Sequence, residues 1–407
     1  MVTKWKLVLL GFAGSALFGF SGAGWIQDRS LQLSNAGNMG PLQMDHSRLQ
    51  VVSGSQIDDT RVYHVRNIEE NNFITWKSTP TGATTFGTSI GDVDNDGKKE
   101  IVTIVNKPDL KDESGNVVEA RNQRILVYKD GSMGNPTFAS ADIGYNTNGV
   151  RDSVVADADD DGKNELVLAR NNRVEIYRWS GKDFVKLWAS LDYSNFVWNV
   201  SVGDADNDGR KEVVLAMFSK GTAIVYKHTG RDTWGDPVTT ASIGPFNINR
   251  AKIRDADNDG RNEIIGGSNC NKLNIWKYAD GKYDTVFLSE DLGGFTLGVD
   301  SGDIDGDGQN EVAVAASKSR EEQDQPFEGK IFIFKFNKDR REYRVIDTIP
   351  IDYMTSHLWI GNLDQSKGDE IVTAGGSKVG FRLRIYKYAP EKRKVFEALT
   401  GPYIKIG

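Results

Sequence analysis

Two regularities in the sequence predict an all-β fold. An acidic nine-residue loop occurs five times intact and once decayed, with starts 47 to 65 residues apart. A run of an aliphatic, an aromatic and a basic residue recurs in step with it. Short β-branched or aromatic stretches bounded by Gly, Asn and Asp frame each loop, giving four strand-like runs per repeat of about 50 residues. That is the arithmetic of a β-propeller blade. The expected architecture is therefore a propeller of seven blades of four antiparallel strands, with six blades as the alternative and the acidic loops between strands 1 and 2.

Taken in chain order, the first segment stands apart. Met1 to Lys6 carries two lysines and no acid, Leu7 to Phe20 is apolar or small, and Ser21-Gly22-Ala23 offers a small-residue cleavage point. This is the layout of a secretory signal peptide over residues 1–23. An uncleaved anchor is the alternative. No later segment is apolar for long enough to cross a membrane, so the expected destination is secreted, cell-surface or periplasmic. Residues 24–44 read as an N-terminal segment and 45–407 as one propeller domain.

The loops are DVDNDGKKE from Asp92, DADDDGKNE from Asp157, DADNDGRKE from Asp204, DADNDGRNE from Asp255 and DIDGDGQNE from Asp303. The decayed copy, NLDQSKGDE, starts at Asn362. The third-strand marker appears as Val127-Tyr128-Lys129, Ile176-Tyr177-Arg178, Val225-Tyr226-Lys227, Ile275-Trp276-Lys277, Ile333-Phe334-Lys335 and Ile385-Tyr386-Lys387. A seventh marker, Val62-Tyr63-His64, precedes the first loop and implies a loopless N-terminal blade. Leu49 to Val52 and Phe73 to Trp76 supply its second and outer strands. Its inner strand is expected from Pro402 to Gly407, which would close the ring, or alternatively from between Leu31 and Leu42.

The loop chemistry points to a hard cation. Carboxylates at positions 1, 3 and 5 converge when the backbone curls, Gly at position 6 permits the turn, the carbonyl of position 7 points inward, and Glu at position 9 completes the shell. An all-oxygen shell of this size suits Ca²⁺, at about five sites. The first site is Asp92, Asp94, Asp96, the carbonyl of Lys98 and Glu100. The second is Asp157, Asp159, Asp161, Lys163 and Glu165, and the third Asp204, Asp206, Asp208, Arg210 and Glu212. The fourth is Asp255, Asp257, Asp259, Arg261 and Glu263, and the fifth Asp303, Asp305, Asp307, Gln309 and Glu311. Without a cation the clustered carboxylates would repel. The sixth copy keeps Asp364 and Glu370 but has Asn362, Ser366 and Lys367 at ligand or turn positions, a weaker site. Closure at position 9 between strands, not helices, separates all of these from EF-hands.

With framing such as Phe86-Gly87-Thr88-Ser89-Ile90-Gly91-Asp92, the loops resemble the FG-GAP or VCBS repeats of integrin alpha-subunit propellers and of many secreted microbial proteins. The resemblance runs from about residue 45 to the C-terminus. It implies that each metal loop joins strands one and two of a blade, that the ions brace the blades, and that Asp92, Asp94, Asp96 and Glu100 and their counterparts are ligands.

Function is less legible than fold. The net charge of −7 argues against nucleic acid, and the single Cys270 rules out an internal disulfide and Cys-based zinc sites. Loss of Lys4 and Lys6 with the leader takes −7 to −9, and ten charges from five Ca²⁺ bring it to about +1. The acid surplus is therefore metal-site charge. Common hydrolase and phosphate-loop patterns are missing. Links between blades hold aromatic and amide residues, among them Phe246, Asn249, Arg250, His357 and Trp359, suited to a glycan or protein ligand. Packing between blades is the competing role for them. The insertion Lys107 to Asn122 reads as a solvated loop, and Lys318 to Gly329 as a second charged insertion. A binding or adhesion module is the expected function, and a lyase-like polysaccharide-active enzyme the alternative. Nothing in the sequence fixes the oligomeric state.

Overall fold

The computed structural model describes residues 25–33, 42–45, 50–54, 60–64 and 74–388, the last stretch less 82, 108, 131, 145–148, 218–219, 319–328, 364–366 and 378–379. All regular structure among them is β-strand. The strands form seven antiparallel sheets, six of four strands and one of five, with a separate two-stranded ribbon. The leader at 1–23, Pro402–Gly407, the link Tyr145–Asn148 and most of the insertion from Lys318 lie outside the described residues.

In each sheet the chain steps from the first strand to its neighbour. The third sheet runs Val150–Ala156, Glu165–Arg170, Arg173–Trp179 and Phe184–Ala189. The fifth runs Ile248–Arg254, Glu263–Ser268, Leu273–Ala279 and Lys282–Leu288. Second strands such as Glu165–Arg170 and Glu212–Met217 are buried along their whole length. This explains their continuous apolar runs, since both faces are covered by neighbouring sheets. Outer strands such as Phe184–Ala189 are far less buried, with only Phe184 covered. The core lies between sheets: Val167 and Ile176 of the third pack with Val213 and Leu215 of the fourth. First strands of successive sheets touch in order, from Leu42–Asp45 to Thr84–Gly91 and onward, and Met354–Gly361 touches Leu42–Asp45. The cycle of contacts is closed, as in a β-propeller.

The ends of the chain differ from expectation. The first strand of the first sheet is Leu42–Asp45, paired with Gln50–Gly54. It takes the place assigned to Pro402–Gly407. Trp25–Leu33, set outside the domain by the sequence reading, is the outer strand of the last sheet and pairs with Gly380–Tyr388. The physical reason is edge protection: Gly380–Tyr388 would otherwise present unpaired backbone groups, and an outer strand covers them without a metal loop. The insertion after Lys107 is solvent-exposed, as read from the sequence, and carries a short β-ribbon. Leu110–Lys111 pairs with Val117–Glu119 around a turn in which Asp112 Oδ1 accepts the Ser114 and Asn116 N–H groups.

Blades also approach closely where the first strand ends. A Cβ on Gly91 would stand 2.5 Å from Cγ1 and 2.6 Å from Cβ of Val155, a stiff β-branched neighbour. On Gly203 it would stand 3.3 Å from the flexible Cδ1 of Ile253. Gly91→Ala should therefore cost about 1–3 kcal/mol through overpacking, and Gly203→Ala under about 1 kcal/mol. Urea unfolding midpoints of the two variants check the ranking, and equal midpoints would count against this packing.

Candidate metal centres and the channel cluster

Each intact acidic loop joins the first and second strands of its sheet, as between Val197–Gly203 and Glu212–Met217. Its shape follows from two residues with positive φ. In the third loop these are Asn207 at 62° and Gly209 at 90°. Asn tolerates this region, and Gly enters it without cost. The curl is pinned by the first aspartate: Asp204 Oδ1 accepts the Asp208 N–H at 3.1 Å and Oδ2 the Gly209 N–H at 2.9 Å. Glu212 reaches back so that its Oε2 accepts the Ala205 N–H at 2.7 Å. The other four loops repeat the bond from the position 2 N–H to Glu.

The outcome is five acidic groups that could each hold a metal ion: Asp92, Asp94 and Asp96; Asp157, Asp159 and Glu165; Asp204, Asp206 and Glu212; Asp255, Asp257 and Asp259; and Asp303, Asp305 and Glu311. Within each group one oxygen per residue lies within 4.8 Å of the others. The residues fit a hard cation on a second count. Asp94 Oδ1, Asp159 Oδ1, Glu212 Oε1 and Asp303 Oδ1 are buried carboxylate oxygens without a hydrogen-bond partner. Such atoms are costly unless a cation meets them. Burial also pushes the closing glutamates up, to about 7 at Glu100, Glu165, Glu212 and Glu311 and about 6 at Glu263.

Two features of the loops were not read from the sequence. One is the basic residue of the third-strand marker. Lys277 Nζ lies 2.7, 2.6 and 2.6 Å from Asp257, Asp259 and Glu263, and Lys335 makes the same three contacts in the fifth loop. The other is a clasp between neighbouring loops. Asn207 Nδ2 donates to the Asn262 carbonyl at 3.0 Å, Asn262 N–H returns to Asn207 Oδ1 at 2.6 Å, and Asn262 Nδ2 donates to the Asp204 carbonyl at 2.8 Å. Asn95 with Asn164, and Asn258 with Asn310, repeat it. Between the second and third loops Asp160 and Lys211 substitute an ion pair. Position 4 of one loop thus always meets position 8 of the next, and the signal was present as Asn facing Asn but Asp facing Lys. The sixth copy joins the fifth in its own way, with Asp369 N–H on the Asp303 carbonyl at 2.7 Å. Its Asp364 and Ser366 lie outside the described residues, and its Glu370 contacts Lys387 at 3.3 Å. That clasp gives the decayed loop a structural role independent of metal.

A different cluster sits on the first strands, facing the middle of the ring. A cavity there is lined by Asp152, Asn199, Arg250, Lys252, His357 and Trp359 together with Val299 and Leu358. Arg250 Nη2 lies 2.7 Å from His357 Nε2. The guanidinium donates, so the imidazole proton is on Nδ1; burial, with Arg250 and Lys252 nearby, holds His357 well below its usual range. The Lys252 ammonium stands 3.4 Å over the Trp359 ring, and burial lowers it to about 8. Of the five link residues named above, Arg250, His357 and Trp359 come together here. Asn249 is buried beside them in sequence but does not line the cavity, and Phe246 lies on the link, 38% exposed. Asp152, Asn199 and Lys252 were missed because inward-facing polar residues alternate with core residues in the same strand.

Fold and loops define a β-propeller built of acidic-loop repeats. Residues 157–215, from the second loop to the strand after the third, match the FG-GAP-like repeat, consistent with an FG-GAP repeat protein. No curated protein matches the chain. No helix among the described residues is long and apolar enough to cross a membrane.

Proposed function

We propose that the protein is an exported, seven-bladed propeller braced by Ca²⁺ in its five intact loops, acting as a binding or adhesion module. The calcium reading rests on all-oxygen donor sets with buried, unpartnered carboxylate oxygens, which suit a hard ion of six to eight ligands. The ions would have a bracing role: five similar sites distributed over five sheets supply no single reaction centre.

The observation that carries the binding reading is the channel cluster. It breaks the repetition of the described sheets, pairing two cations with an indole face. A glycan would meet Trp359 and Arg250 by displacing Lys252, which stands 3.4 Å over the indole in the closed cluster. The lowered Lys252 beside a neutral His357 favours one second reading, a lyase-like enzyme acting on an acidic polysaccharide. A glycan array probed with the mature chain, with Trp359→Ala and Phe246→Ala alongside, separates the cases. Capture lost in the variants at an unchanged melting temperature is the expected result. Loss of folding on either substitution would assign these aromatics to packing, and turnover of an acidic polysaccharide would favour the enzyme.

A further inference from the structure

We infer that the basic residue on the third strand of each looped sheet is an internal competitor of the metal ion and sets its affinity. The inference rests on the metal reading above. Strand register fixes the arrangement. Lys227 is the cross-strand partner of Glu212, and Lys335 that of Glu311. In the other sheets the preceding aromatic pairs with the residue after the glutamate, as Tyr128 with Ile101, Tyr177 with Leu166 and Trp276 with Ile264. The basic group is thereby delivered beside the closing glutamate every time.

Its contacts fall on carboxylates of the metal set. Lys129 reaches Asp94 and Asp96 at 2.5 and 2.7 Å, and Arg178 reaches Asp159, Asp161 and Glu165 at 2.6, 3.3 and 2.8 Å. Lys227 reaches Asp206 at 2.7 Å and also contacts Asp208. The first aspartate of the first, third and fourth loops is left to the backbone N–H groups of positions 5 and 6, while Asp157 also takes Lys211 at 3.2 Å. A Ca²⁺ ion takes its oxygens at about 2.3–2.6 Å, so an ion sharing these oxygens would lie within a few ångströms of the ammonium or guanidinium. Two cations that close repel strongly in a partly buried site. Metal entry therefore displaces the side chain or proceeds against it, and the metal-free loop keeps a counter-ion of its own.

The five sites are not equal. Lys277 and Lys335 bond all three carboxylates at positions 3, 5 and 9, and their side chains are 19% and 20% exposed. Lys129 and Lys227, at 37% and 39%, lie farther out, and Lys129 stays 3.9 Å from Glu100. Arg178, 16% exposed, also meets positions 3, 5 and 9 of its loop, so the first and third loops should fill before the second, fourth and fifth.

The test titrates the full mature chain with calcium chloride by calorimetry at fixed ionic strength, and melts it with and without EDTA. Lys277→Met combined with Lys335→Met should tighten the fourth and fifth sites at least tenfold. The gap between the melting temperatures with calcium and with EDTA should widen. Lys277→Arg combined with Lys335→Arg, which keeps the charge, should retain wild-type affinity. Should the methionine pair fold poorly, Lys335→Gln alone carries the same expectation at one site. Calcium uptake by wild type with unchanged affinity in the charge-removing variants overturns the inference alone. No uptake by any form overturns the metal reading beneath it.

Discussion

Excess EDTA is expected to lower the melting temperature of the protein by about ten degrees or more, without unfolding it at 25 °C. A site held at a hundred times its dissociation constant contributes about 2.7 kcal/mol, so five such sites contribute on the order of 13 kcal/mol. In a domain this large each kcal/mol moves the midpoint by roughly 1–2 °C, an extension of the trend for smaller domains. The drop stays short of collapse because Lys129, Arg178, Lys227, Lys277 and Lys335 remain against the carboxylates after the metal has gone. Calorimetric melting in millimolar calcium and again in excess chelator makes the comparison, with added calcium restoring the first curve. Superimposable curves would remove the metal from the stability of this fold.

Trp276→Ala is expected to be among the most destabilising single substitutions, at about 3–5 kcal/mol. Its indole is 0% exposed, packs over Gly266 and joins the cluster between the fourth and fifth sheets. It also donates from Nε1 to the Ala241 carbonyl at 2.9 Å, tying its blade to the link that enters it. Truncation leaves a cavity and takes a partner from that carbonyl, two costs that add. Trp276→Phe should recover most of the packing and not the hydrogen bond, so it should fall between the two. Urea midpoints at constant m-value would establish the order, and a loss below about 1 kcal/mol would mean that the site collapses around the gap.

The loops and third-strand markers were legible because their information is local. Carboxylates spaced by two residues and a glycine at position 6 specify a curl from sequence alone, and the structure places them between the first and second strands. Nonlocal features were not legible. Trp25–Leu33 carries no marker, since an outer strand needs only backbone pairing on one edge, and nothing in it points to Gly380–Tyr388. The clasp residues at positions 4 and 8 read as filler until Asn207 and Asn262 are seen to meet across 55 positions. Lys277 and its equivalents read as the basic member of the third-strand marker, and only register places them beside the carboxylates. In the channel, Arg250, His357 and Trp359 could be singled out by residue type, but Lys252 needed the fold to bring it over Trp359.

The pairing of Trp25–Leu33 with Gly380–Tyr388 bears on how the molecule is made. Trp25 faces Tyr388, so the first strand to leave the ribosome is among the last to find its partner. Contacts this distant in sequence are slow to form, because a long loop must close before they are rewarded. The intermediate blades, each a set of neighbouring hairpins, can assemble in order while that strand waits. A chain cut just before Gly380 would keep the strands of six sheets yet leave the seventh without its third strand and Trp25–Leu33 without a partner. The seventh sheet is thus complete only when strands from both sides of the ring, Trp25–Leu33 and Gly380–Tyr388, have met.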